Sequence, residues 1–246
     1  MSGPRVIGMI PARFASTRFP GKMLTPIFGK PLVQWTYENA VRCSVFSDVV
    51  VATDDDRIAG AVEGFGGKVV MTSPDCINGT ERLADAIKRH REFDDCSLVV
   101  NVQGDEPCVT PEAIAAVVKR MELAPDAVMS TAATPLASLE EAQRPHLVKC
   151  VFDQKGYALY FSRSPIPFFR HGFPSLYRHL GLYCFRRDFL LLYPKLTCTP
   201  LQQAEDLEQL RILEHGYRIQ VALVNETTIG VDTPEDVKRV EPHLKR

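Results

Sequence analysis

The stretch DVVVATDDDRIAGAVEGFGGKVVMT, residues 48–72, decides the fold. It opens on a continuous apolar run, DVVVAT at 48–53, passes through a helical pattern at about 56–64, and closes on a second apolar run, KVVMT at 68–72. Apolar runs without alternation mark strands buried on both faces, and a helix between two of them makes a parallel unit. The same grammar extends outward. RVIGMI at 5–10 precedes the stretch, LVVNV at 98–102 and AVMSTAA at 127–133 follow it, and helical patterns lie at about 31–43, 80–92 and 111–122. Thr80 followed by Glu81 reads as one helix start, and Thr110 with Pro111 as another. This pattern predicts an α/β domain whose mostly parallel sheet is covered by helices on both faces, with ligands in the crevice beyond the strands' C-terminal ends.

From about residue 148 the pattern changes. VKCVFDQKGYALYFSRS reads as two strands about a DQKG turn, and LGLYCF at 180–185 adds a third, so 148–185 is expected to be an antiparallel insertion in a single domain spanning 1–246. A single helix is expected from Thr199 and Pro200 through LQQAEDLEQLRILEH to Gly216, then strand RIQVALV and a last helix opened by TPED. The segment SRSPIPFFRHGFPSLYRH at 162–179 reads as an exposed excursion whose aromatic residues suit a surface for a second copy of the chain.

The chain has 246 residues, 45% hydrophobic and 24% charged, as in an ordinary folded domain. Its 29 basic and 30 acidic side chains nearly balance, which argues against a nucleic-acid-binding or membrane surface. No apolar run reaches the ~18 residues of a spanning helix, and the N-terminus lacks the zones of a signal peptide, so a cytoplasmic location is expected. The seven cysteines form no C-x-x-C pair and no zinc-spaced cluster.

Against that balance, the first acidic residue is Glu38, while Arg5, Arg13, Arg18, Lys22 and Lys30 all precede it. Arg13, Arg18 and Lys22 fall in the loop that follows the first strand, where Gly21 lets backbone approach an anion. A solvated surface loop is the plain alternative; the position after the first parallel strand favours a phosphate site, with Lys22 its strongest candidate. The loop is neither a Walker A sequence nor a G-x-G-x-x-G fingerprint, which speaks against a dinucleotide-dependent oxidoreductase.

A second signal is NVQGDEP at 101–107, where an apolar strand ends on Gln103, Gly104, Asp105 and Glu106. Such acids serve as turn formers or helix N-terminal charges; opposite a phosphate loop, Asp105 also suits Mg²⁺, which takes one or two carboxylates plus substrate phosphates. The third is GVDTPED at 230–236: Thr233 to Asp236 form a capping-box helix start, which leaves Asp232, one place ahead of it, as a second metal ligand. One carboxylate from each half of the chain beside a basic loop is the equipment of nucleotidyl transfer.

Taken together and in order, IPARFASTRFPGK, VATDD, NGTERLADA, NVQGDEP, GYALYFSRSPIP, YRHLGLYCFRRDFL, LEQLRILEHGYRI and GVDTPEDV resemble the 3-deoxy-manno-octulosonate (Kdo) cytidylyltransferases over nearly the whole chain. The glycine-rich opening of sugar-1-phosphate uridylyltransferases is missing, and TRFPGK with NVQGDEP resembles the Kdo branch more than the sialic-acid activating enzymes. The resemblance implies a Rossmann-like homodimer that moves CMP from CTP to Kdo with Mg²⁺, in lipopolysaccharide synthesis. It implies that Arg13 and Lys22 hold the triphosphate, that Gln103 and Arg82 meet the nucleotide, and that Asp105 and Asp232 bind magnesium. It places Arg18, Arg163, His179, Tyr183, Glu208 and Gln209 in the sugar-acid pocket. Several of the latter have a plainer reading: a structural histidine, a core tyrosine, a solvated helix face for Glu208 and Gln209.

Overall fold

The computed structural model describes residues 4–15, 19–171, 175–225 and 229–244. In chain order it contains β1 (Val6–Ala12), β2 (Pro26–Ile27), β3 (Lys30–Pro31), α1 (Leu32–Val41), β4 (Asp48–Thr53), α2 (Asp56–Gly64), β5 (Val69–Met71), α3 (Gly79–Arg89), β6 (Leu98–Val102) and α4 (Pro111–Leu123). There follow β7 (Ala127–Pro135), α5 (Leu139–Ala142), β8 (Lys149–Phe152), β9 (Ala158–Ser162), β10 (Tyr177–Arg186), α6 (Arg187–Leu192), α7 (Pro200–Glu205), α8 (Glu208–Glu214), β11 (Arg218–Leu223) and α9 (Pro234–Leu244). The α/β class with a mostly parallel sheet is as the sequence predicts, and the strand at 48–53 and the helix at 56–64 occupy the predicted residues.

The chain divides into two compact units. The first takes the described residues of Met1–Ala115, Phe185–Pro194 and Thr228–Arg246; the second takes those of Ala116–Cys184 and Lys195–Thr227.

In the first unit β6, β1, β4 and β5 lie side by side, all parallel. Every residue of β1 and β6 is buried, which is why both read as unbroken apolar runs. Each Val or Ile so buried contributes about 1.5–3 kcal/mol relative to exposure. Gly8 sits where the Phe46 ring packs against β1: a Cβ there would come within 2.9 Å of the ring. The buried face of α9, Val240 and Leu244, packs with Val231 against Ile27 of β2 and Leu32 at the start of α1, and this apolar contact brings residues 229–233 back to the N-terminal part of the chain.

Helix α3 corrects one expectation. Its cap is Asn78, not Thr80: the Asn78 side chain accepts from the Glu81 backbone N–H, and Thr80 is buried inside the first turn. The helix therefore begins at Gly79, and Asn outcompetes Thr for the cap. Thr110, by contrast, does what its sequence implies and accepts from the N–H of Ala113.

In the second unit β11 pairs parallel with β7, and β8 pairs antiparallel with both β9 and β10, so the antiparallel hairpin about 153–156 forms as read. Lys149 is fully buried at the base of this hairpin; its ammonium donates to the carbonyls of Arg144, Leu147 and Arg163, and burial lowers its pKa. The single helix expected over 199–216 is two. Asp206 adopts a left-handed conformation (φ 51°) that ends α7, and α8 starts afresh at Glu208. Gly216, with φ 79°, ends the pair as its residue type implies.

Among the described residues no helix is long and apolar enough to cross a membrane.

Candidate active site

Strand β1 ends at Ala12 and hands the chain to Arg13. The loop that follows is closed where the N–H of Gly21 donates to the carbonyl of Phe14 at 2.9 Å. Gly21 is required twice over: its φ is +70°, and a Cβ would stand 3.1 Å from the Phe14 ring. Its own amide is thus committed to closing the loop. The turn it makes delivers Lys22 inward, and Lys22 is only 8% exposed.

Two carboxylates meet that lysine. Its Nζ donates to Asp105 Oδ2 at 2.5 Å and to the carbonyl of Val231 at 3.2 Å, and lies 3.7 Å from Asp232 Oδ1. The two acidic segments are stitched together by main chain, the N–H of Val231 donating to the carbonyl of Asp105 at 2.8 Å. The cap of α9 fixes the second: the Asp236 carboxylate accepts from the N–H groups of Asp232 and Thr233. Burial alone would raise the pKa of Asp236, but those N–H donors and Arg239 outweigh it and hold the carboxyl below its ordinary value. One ammonium between two carboxylates leaves the trio with a formal charge of −1, with Lys22 close to Asp105 and farther from Asp232.

The turn carrying Asp105 is braced from below. Gly104 sits where a side chain would be crowded: a Cβ there would stand 3.0 Å from both the carbonyl oxygen of Pro11 and the sulfur of Met23. The hydroxyl of Thr36, buried on α1, donates to the carbonyl of Gly104 at 2.9 Å.

Arg13, Lys22, Arg82, Gln103, Asp105 and Asp232 all line one cavity of about 310 Å³, together with the start of α3 at Asn78 and Gly79. Its wall carries three cationic groups against two anionic ones. The two carboxylates are hard oxygen donors of the kind a magnesium ion takes when its other ligands are phosphate and water.

Arg82 is 3% exposed, and sequence reasoning missed what holds it: Thr72, whose hydroxyl accepts from NH1 at 2.6 Å, and Asp54, whose carboxylate accepts from NH2 at 3.2 Å. VATDD at 51–55 was the available signal for Asp54, with nothing in it to name the partner.

The residues assigned to the sugar acid divide. His179 and Tyr183 point to one side of β10, their rings 5.6 Å apart. His179 is buried, and burial, with help from Arg178, lowers its pKa to about 3, so the ring is neutral. Thr131 on β7 engages it: with the hydroxyl donating to the carbonyl of Leu182 at 2.9 Å, His179 Nε2 donates to Thr131 Oγ1 at 2.9 Å. Arg163 spends its guanidinium on the carbonyls of Glu205, Asp206 and Pro145. Gln209 is buried, not part of a solvated helix face, and its amide nitrogen has no hydrogen-bond partner among the described residues; Glu208 is half-buried in the first turn of α8. Arg18 lies outside the described residues.

A cytidylyltransferase family profile matches residues 7–219. The chain is 53% identical over 245 residues to the 3-deoxy-manno-octulosonate cytidylyltransferase of Protochlamydia amoebophila, covering 98% of this chain and 94% of that one. It is 52% identical over 246 residues to the protein of the same name from Zea mays, covering 98% and 81%. A solved structure of CMP:2-keto-3-deoxy-manno-octonic acid synthetase complexed with CTP matches with a TM-score of 0.91 at 39% identity over 97% of each chain. The ordered motifs, the fold and these likenesses agree, and the chain belongs to the 3-deoxy-manno-octulosonate cytidylyltransferase family of nucleotidyltransferase enzymes.

Proposed function

We propose that this enzyme transfers the cytidylyl group of CTP to the anomeric hydroxyl of Kdo, releasing pyrophosphate, with Mg²⁺ held by Asp105 and Asp232. The observation that carries the reading is the meeting of Lys22 with both carboxylates in one cavity, together with the names its relatives bear. Arg13 and Lys22 donate to the triphosphate and stabilise charge that develops as pyrophosphate departs. Gln103 and Arg82 meet the nucleotide. Arg163, His179, Tyr183, Glu208 and Gln209, with Arg18, take the sugar acid, whose hydroxyls suit amide, carboxylate and phenol partners. A neutral His179 serves there as a hydrogen-bonding ring and not as a cation. When bound, magnesium neutralises phosphate charge and lowers the pKa of the attacking hydroxyl. The product supplies activated Kdo for lipopolysaccharide, in the cytoplasm.

The enzyme acts as a homodimer of single-domain subunits, with 148–185 contributing to the sugar site and, through 162–179, to the dimer contact. Phe168, 91% exposed, supports that surface; residues 172–174 of it lie outside the described set. A monomeric mass in solution at micromolar concentration would remove the dimer.

The deciding assay is pyrophosphate release from CTP with Kdo, run beside N-acetylneuraminate and UTP and with EDTA. Release is expected with CTP and Kdo alone, and to stop with EDTA. Equal rates with N-acetylneuraminate, or release that survives EDTA, would overturn the substrate or the metal assignment respectively.

A further inference from the structure

Asp54 leaves the C-terminal end of β4, Thr72 leaves the C-terminal end of β5, and Arg82 sits one turn into α3. The two strand ends are tied to each other by the N–H of Thr72 donating to the carbonyl of Thr53 at 2.8 Å. Together they grip a guanidinium that is 3% exposed, at 2.6 Å from Thr72 and 3.2 Å from Asp54, and that forms part of the cavity wall. A buried guanidinium needs a charge partner, and Asp54 supplies it. The side chain has a fixed planar fork of five N–H donors and no acceptor. Gripping its terminal nitrogens therefore fixes the plane in which it can donate into the cavity.

From this geometry we infer that Asp54 and Thr72 are positioning residues that aim Arg82 at an acceptor on the nucleotide base. The inference rests on the reading of the cavity as a CTP site. Charge separates base from phosphate here. Asp54 already compensates Arg82, so the pair presents oriented donors with little net charge, suited to a neutral carbonyl. Arg13 instead donates to a main-chain carbonyl, that of Ile77 at 3.3 Å, and keeps its full charge for an anion. A plain structural tie between α3 and the strand ends would need the same contacts but would not alter what the cavity binds.

The test is calorimetric titration of the whole chain and its Thr72→Val, Thr72→Ser and Asp54→Asn variants with CTP and, separately, with inorganic tripolyphosphate, alongside thermal melts. Thr72→Val keeps the shape and removes the acceptor; it is expected to weaken CTP roughly tenfold, about the value of one hydrogen bond to a charged group, and to leave tripolyphosphate affinity within twofold. Thr72→Ser should restore CTP affinity, and Asp54→Asn should weaken CTP in the same direction even if Thr72→Val fails to fold. Wild-type CTP affinity in Thr72→Val or Asp54→Asn, a lower melting temperature with unchanged affinity, or equal losses for CTP and tripolyphosphate would each overturn the inference. Wild-type protein that binds no CTP would overturn the functional reading beneath it, and the two failures are told apart by that control.

Discussion

At Lys22 a buried ammonium faces Asp105 and Asp232 at 2.5 and 3.7 Å. Replacing it by Met is expected to lower turnover by about 10²-fold or more if it meets the transition state; a change confined to KM would contradict that role. Asp105→Asn and Asp232→Asn should each abolish turnover while the far-UV spectrum and melt remain native, and near-normal activity in either would remove that residue from the mechanism. His179 gives a pH signature. Its folded pKa of about 3 lies below the ordinary value of 6.5, so between those pH values the unfolded chain binds the extra proton. The stability it contributes is complete above pH 6.5 and is lost as pH falls toward 3, by up to about 1.4 kcal/mol per pH unit. His179→Gln, which can keep the bond to Thr131, should flatten part of the acid limb of a melting-temperature profile; an unchanged slope would refute it. As residues of one cavity, Lys22, Asp105 and Asp232 were legible from their places beyond strand ends and their charge. Thr72 and Thr36 were not, since a buried hydroxyl reads as any other small residue until its partner is seen.

Among the elements, the turn after β6 depends on two small features, a missing side chain at Gly104 and one hydroxyl beneath it. Thr36→Val leaves the buried Gly104 carbonyl without its donor and should cost about 1–3 kcal/mol in denaturant unfolding. Gly104→Ala forces a Cβ against Pro11 and Met23 and should cost about 1–3 kcal/mol as overpacking, with activity falling further than stability because Asp105 moves with the turn. An alanine variant with native stability and rate would show that the turn yields freely. Element types were largely legible from apolar runs, but two boundaries turned on local competition that residue patterns rank poorly. Asn78 took the cap from Thr80. Asp206 broke one amphipathic helix into two although no Gly or Pro stands there, because Asp tolerates the left-handed region better than most residues.

For the molecule as a whole, CTP is expected to slow amide exchange at 12–15, 78–82 and 103–105, segments that line the cavity, and to raise stability by about 2.7 kcal/mol at a hundred times its dissociation constant. Protection absent from those segments would move the nucleotide elsewhere. The sequence named the basic loop and both acids but not their convergence, because that depends on α9 folding its apolar face onto Ile27 and Leu32, a contact between distant stretches. The bond from Val231 to Asp105 adds a consequence in time. During translation residues 4–115 can lay down strands and the basic loop, yet the acidic pair stays incomplete until residues 229–244 have cleared the ribosome. A chain stalled before residue 229 would hold Asp105 but not its counterpart.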